Sequence, residues 1–153
     1  MDTTETYIKM CEKAEEIQKD WYADCGDYIR LTKPDKRVVL IIEHPAKSIV
    51  KPNWLMRVVF PKCSGDNTDY KYIKGGIWLP RQDQLQEMVL DYWWGNEQPQ
   101  NNISVMLQKF WWWLNDACPN FQSMEQLWLA YVMKEKHNKT WNGKEWVKYS
   151  YDI

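Results

Sequence analysis

Ile77-Trp78-Leu79-Pro80-Arg81-Gln82-Asp83-Gln84-Leu85-Gln86-Glu87-Met88 is the stretch at which the chain changes its periodicity. Before it, apolar residues come in short β-branched or aromatic runs. After it they return every three or four positions. A proline suits the first turn of a helix, where its missing N–H would have no partner anyway. The helix it opens should reach about Trp94, with Leu85, Met88, Val89, Tyr92 and Trp93 on one face.

Towards the N-terminus, Tyr28–Leu31, Val38–Glu43, Leu55–Phe60, Tyr70–Ile73 and Ile77–Leu79 read as strands. Pro34-Asp35, Pro45, Pro52-Asn53, Ser64-Gly65-Asp66-Asn67 and Gly75-Gly76 punctuate them. Val38-Val39-Leu40-Ile41-Ile42 is apolar without alternation, which predicts a central strand covered on both faces. Short connections make the sheet mainly antiparallel. Before it, Tyr7, Met10, Cys11, Ala14, Ile17 and Trp21 recur at helical steps, predicting one helix from about Thr4 to Trp21.

Towards the C-terminus, Asn102 can cap a helix that stops before Pro119 and buries Ile103, Met106, Leu107, Phe110 and Leu114. Trp112 then projects opposite that stripe. Ser123-Met124-Glu125-Gln126 is a capping-box pattern for a further helix to about Lys136, apolar nearly all round and therefore central. Trp141-Asn142-Gly143-Lys144-Glu145-Trp146 signals a closing hairpin. The expected fold is α+β in a single domain, 1–153. It has an N-terminal helix, a small mainly antiparallel sheet, three C-terminal helices on one sheet face and a terminal β-hairpin.

Composition sets the class. The chain has 153 residues, 44% hydrophobic and 27% charged, with a net charge of −1. That is a globular composition, and its overall field gives no reason to expect nucleic acid or acidic membranes. Charge is nonetheless uneven, with eight Lys/Arg between residues 30 and 62. The four cysteines are far apart and no zinc spacing can be assembled with His44 and His137, so no metal and no cofactor are expected. No signal peptide and no apolar run of membrane-spanning length is visible, which points to a reduced, cytoplasmic setting.

Asp83, Glu87 and Asp91 line one helix face, which reads as a solvated acidic surface rather than a metal or acid–base site. Arg81 and Gln84 are candidate ligand contacts, with hydrogen bonding to the neighbouring backbone the preferred role. No catalytic triad, nucleophile elbow or phosphate loop occurs, so no enzyme is expected. An enzyme with dispersed residues would bring Asp83 or Glu87 to His44 in a deep pocket. The eleven tryptophans, three of them consecutive at Trp111-Trp112-Trp113, are the strongest hint of binding. Trp112 is a candidate protein contact, since escaped tryptophans anchor interfaces. In the C-terminal segment Lys139 and Lys144 interleave with Trp141 and Trp146, a pattern that can stack bases and track phosphates. The preferred reading there is a cross-strand aromatic pair that stabilises the hairpin.

The Ile77–Met88 stretch, together with Ser123-Met124-Glu125-Gln126-Leu127-Trp128-Leu129-Ala130-Tyr131-Val132-Met133-Lys134-Glu135-Lys136 and the following Trp141-Asn142-Gly143, resembles small uncharacterised proteins encoded by phages and prophages of Gram-positive bacteria. The opening Tyr7–Glu15 is similar too, whereas residues 31–76 carry no resemblance. This implies a phage accessory protein in the bacterial host's cytoplasm and supplies no catalytic residues. The expected activity is binding to a phage or host protein through exposed aromatics. The alternative is nucleic-acid binding through residues 30–62 and the hairpin, and a second copy of the chain is an admissible partner.

Overall fold

Five short runs of strand-forming residues become a five-stranded sheet in the computed structural model of the chain. The strands are β1 (Tyr28–Arg30), β2 (Val38–Glu43), β3 (Leu55–Phe60), β4 (Asp69–Lys74) and β5 (Ile77–Leu79), in the order β4-β3-β2-β1-β5. The structure describes residues 1–22, 24–32, 37–43, 55–60, 69–74, 76–95, 103–117 and 120–149. Every strand pair is antiparallel. β2 is the central strand, as its apolar run predicts. Burial there alternates, however: Val39 and Ile41 are buried while Val38 and Leu40 are half-exposed. One face of β2 is therefore the core face, and the expectation of full cover on both sides is corrected.

The helices are α1 (Glu5–Lys13), α2 (Glu15–Asp20), α3 (Gln82–Gly95), α4 (Ile103–Ala117) and α5 (Met124–His137), followed by the hairpin strands β6 (Lys139–Trp141) and β7 (Trp146–Lys148). The chain divides into two compact units, residues 15–80 and residues 1–14 with 81–153. The single N-terminal helix expected from periodicity is broken at Ala14, which leaves helical geometry at φ −85°, ψ 64°. Alanine is the strongest helix former, so nothing local demands the break. It falls at the boundary between the units.

In the unit of residues 15–80, Ile29, Leu31, Val39 and Ile41 form the sheet's core, with Trp21 packed against them. Trp21 stacks on Trp78 with ring centroids 5.6 Å apart. Its Nε1–H donates to the buried Asp27 carboxylate at 2.8 Å. Edge strand β5 would leave backbone groups of Trp78 without ladder partners. The Gln18 side chain supplies both, accepting from Trp78 N at 2.9 Å and donating to Trp78 O at 3.0 Å. Gly76 passes so close to β1 that a Cβ would sit 3.2 Å from the Arg30 carbonyl oxygen and 3.4 Å from Ile29 Cβ.

In the other unit, α5 is the axis. Trp128, Leu129, Ala130, Tyr131, Val132 and Met133 are all buried. Ser123 caps it, its Oγ accepting from Gln126 N at 3.1 Å. Gln126 does not close the capping box onto Ser123. Its amide donates to Asp2 at 2.7 Å and accepts from Gln122 N at 3.2 Å. Asp2 also accepts from Ser123 Oγ at 2.5 Å and Thr4 N at 2.8 Å, so the chain start is tied to the start of α5. Burial pushes the Asp2 carboxyl up, but these hydrogen bonds outweigh it and hold it below its ordinary value. Asn138 ends α5 in left-handed geometry, its N–H donating to the Lys134 and Met133 carbonyls.

Candidate functional site

The hairpin follows the helix C-cap directly. Its register pairs Lys139 with Lys148, Thr140 with Val147 and Trp141 with Trp146. Asn142 Oδ1 accepts from Lys144 N and Glu145 N, both at 2.9 Å, and Gly143 supplies the positive φ of 93° that the turn requires. The Trp141 and Trp146 rings meet at 5.0 Å. Trp146 is buried and its Nε1–H donates to the Met10 carbonyl at 2.9 Å, which pins the hairpin to α1. Of the two candidate rings, Trp141 alone keeps partial exposure, and Lys144 stands exposed in the turn.

Strand alternation puts Lys139, Trp141, Trp146 and Lys148 on one face of the hairpin. Lys139 and Trp141 help line a cavity of about 500 Å³ whose other walls come from Thr6 of α1, α4, residues 120–122 and α5. Trp113 and Phe121 add two more rings to it, and Lys134 a second ammonium. Trp113 is held from behind by Phe110 and Tyr131, at centroid distances of 5.8 and 5.3 Å. Lys134 is ion-paired with Glu135. The cavity's residues span positions 6 to 149, so no local motif announces it.

Helix α4 presents the second candidate surface. Phe110 stacks on Trp128 at 4.0 Å and makes an edge contact with Tyr131, and this fixes how α4 is rotated. Met106 and Phe110 are buried, but Ile103 is 62% exposed and Leu107 47%. The expected five-residue buried stripe is thus corrected to a narrower one shifted towards Trp113. Ile103, Leu107 and Trp111 stand one turn apart in an exposed apolar ridge, with Trp111 63% exposed. Trp112 is 57% exposed, as its wheel position predicts. Trp111, Ile103 and Leu107 were not foreseen at this surface. The one sequence signal was the excess of apolar residues in α4 over what one stripe can bury.

Arg81 and Gln84 are brought together by the start of α3, which begins at Gln82 and so places Pro80 before the helix rather than in its first turn. Gln84 Oε1 accepts from Arg81 N at 2.9 Å, and the Arg81 guanidinium holds Asp83 at 3.0 Å. Both residues serve the helix end. The hydrogen bond from Arg81 keeps the Asp83 carboxyl below its ordinary value. Asp83, Glu87 and Asp91 are exposed, and no metal-binding cluster of His, Cys, Asp or Glu occurs among the described residues. His44, Cys63, Cys118, Asn102 and most of the 30–62 basic zone lie outside the described residues. Cys11 is buried, which pushes its thiol far up, whereas Cys25 is exposed. No helix among the described residues is long and apolar enough to cross a membrane.

Neither a protein-family model, nor a curated protein, nor a solved structure gives a significant match to this chain.

Proposed function

We propose that this chain is a phage or prophage accessory protein of the host cytoplasm that works by binding another protein rather than by catalysis. The observation that carries this reading is the exposed ridge of Ile103, Leu107 and Trp111 on α4, with Trp112 beside it. Anchors at i, i+4 and i+8 are the pattern by which a helix enters an apolar groove on a partner. Ser104 and Gln108, which are exposed alongside the ridge, are uncharged. The partner surface it suits is therefore apolar and needs no charged rim at its centre. Tryptophan is among the residues most enriched at the hot spots of such interfaces.

The test is site-specific photocrosslinking from position 107 in a prophage-induced lysate, repeated with Trp111→Ala and after nuclease treatment. The expected result is one discrete crosslinked protein, insensitive to nuclease and lost in Trp111→Ala at unchanged thermal stability. A crosslink that Trp111→Ala leaves intact overturns the reading. So does a crosslink to a second copy of the chain, which would make the ridge a homo-oligomer contact. The nucleic-acid alternative draws on Lys139, Lys144 and Trp141, while Trp146 is committed to the core. It predicts capture that nuclease abolishes and that weakens steeply with salt.

A further inference from the structure

We infer that the cavity between α4, α5 and the hairpin is a binding site for a neutral saccharide of one or two pyranose rings. Charge narrows the ligand class first. Lys134 and Lys139 line the cavity, and no Asp or Glu does so among the described residues, so a cationic ligand meets repulsion without a counter-charge. Neither ammonium is open to an anion, since Lys134 is ion-paired with Glu135 and Lys139 is engaged within the protein. Taking a lysine from its partner would offset what an anion gained. A neutral ligand incurs neither cost.

The neutral lining is of two kinds. Trp113, Phe121 and Trp141 are half-buried rings at the cavity. Trp113 is held by Phe110 and Tyr131, and Trp141 by Trp146, itself tied to the Met10 carbonyl. Walls set in advance lose little freedom on binding. Asn120, Gln122 and Thr140 line the same cavity and are exposed. Gln122 uses its backbone N–H on Gln126, and no hydrogen bond among the described residues occupies the side chains of these three. A pyranose divides its surface in the same way. Its axial C–H groups form an apolar face that lies on the negative face of an indole. Its equatorial hydroxyls radiate from the ring edge, each donor and acceptor, and pair with amides and hydroxyls without needing a charge. A nucleobase is the flat rival, and it is gripped best between two parallel rings. The stacked pairs among the described residues, Trp21–Trp78 and Phe110–Trp128, lie outside the cavity. A volume of about 500 Å³ is that of a small-molecule site and suits one or two sugar rings, not a long chain.

The test is titration of the full chain with cellobiose and with N,N′-diacetylchitobiose, whose ring substituents are all equatorial, followed by NMR of the indole N–H groups. Adenosine, AMP and a proline-rich decapeptide serve as comparators. The Trp113 and Trp141 signals are identified by their loss in Trp113→Phe and Trp141→Phe. Saturable shifts of both signals with a disaccharide are expected at millimolar concentration, equal in low and moderate salt because no charge is neutralised. Trp141→Ala should weaken binding about tenfold, and Trp141→Phe, which keeps a ring in the hairpin pair, less. Gln122→Ala, at an exposed position, should weaken it about threefold, and Lys139→Gln less than about twofold. Absence of a saturable shift with either disaccharide at tens of millimolar overturns the inference. So does adenosine or the decapeptide shifting the two signals at lower concentration than either disaccharide. AMP binding that Lys139→Gln abolishes would overturn it as well, by showing a lysine available to an anion. Disaccharide binding that both Trp141→Ala and Gln122→Ala leave unchanged would place the ligand elsewhere and remove the assignment. Trp111→Ala should not alter the titration, so this site and the α4 ridge stand or fall separately.

Discussion

Helices α4 and α5 are nearly equal in length, 15 and 14 residues, and both are rich in large apolar side chains. They end in opposite situations. α5 is buried on almost every side, whereas α4 buries Met106 and Phe110 and leaves Ile103, Leu107, Trp111 and Trp112 to solvent. The difference lies in neighbours rather than composition. α1, α3 and the hairpin all pack on α5, and its polar residues sit at its two ends. α4 contributes one strip of rings to that assembly and keeps the rest outside. A tryptophan's meaning in this chain is therefore set by what surrounds it.

The sharpest way to break the comparison is at Trp128, which is fully buried under Phe110. Trp128→Ala should cost about 3–5 kcal/mol in chemical denaturation, the range for deleting a large buried ring. Trp128→Phe should cost much less. The Trp128 Nε1–H has no acceptor among the described residues, so its removal takes away an unsatisfied donor along with the volume. If the two substitutions were equally damaging, the ring stack would not be the source of α5's stability.

Next in size is the Asp2 anchor at the start of α5. Asp2→Asn turns one acceptor into a donor facing the Ser123 and Gln126 donors, and should cost about 1–3 kcal/mol. The sign of the pH effect follows from the lowered carboxyl value. Its stabilisation is complete above the ordinary value of 3.8 and disappears as the pH falls through the lower folded value. The native chain should therefore lose more stability than Asp2→Asn between about pH 4 and the folded value. Parallel pH profiles for the two proteins would remove Asp2 from the account.

Smaller again is Trp146→Phe, which keeps a ring against Trp141 and loses the hydrogen bond to the Met10 carbonyl. About 1 kcal/mol is expected, with faster amide exchange in the hairpin. At the bottom of the scale, Trp111→Ala should change stability by no more than about 0.5 kcal/mol, because the ring lies outside the packed assembly. A loss approaching that of Trp128→Ala would mean that the α4 ridge is structural, and the binding proposal would fall with it. Cysteine chemistry checks the same division independently. Cys25 should alkylate quickly in the native protein, and Cys11, buried with its thiol value pushed up, only on unfolding.

Much of the architecture is written locally. The five strand runs match the five observed strands to within a residue or so, because β-branched runs bounded by Pro, Gly and Asn carry their own start and stop signals. The Ser123 cap and the Asn142-Gly143 turn are equally legible, each acting within four residues of itself. What the sequence by itself determined, then, is the α+β class, the position of nearly every element, and the hairpin that joins Trp141 to Trp146.

Only the tertiary structure decided the rest. The break at Ala14 opposes local helix preference, and the rotation of α4 depends on Phe110 finding Trp128. Gln126 leaves the capping box for Asp2, a residue 124 positions away in sequence. Trp146 and Trp141 are alike in the hairpin pattern, yet one reaches the Met10 carbonyl and the other lines a cavity. Local patterns fix backbone dihedrals, which depend on near neighbours. Which side of an element is covered depends on partners brought together by the chain's long-range path, and no window of sequence contains them.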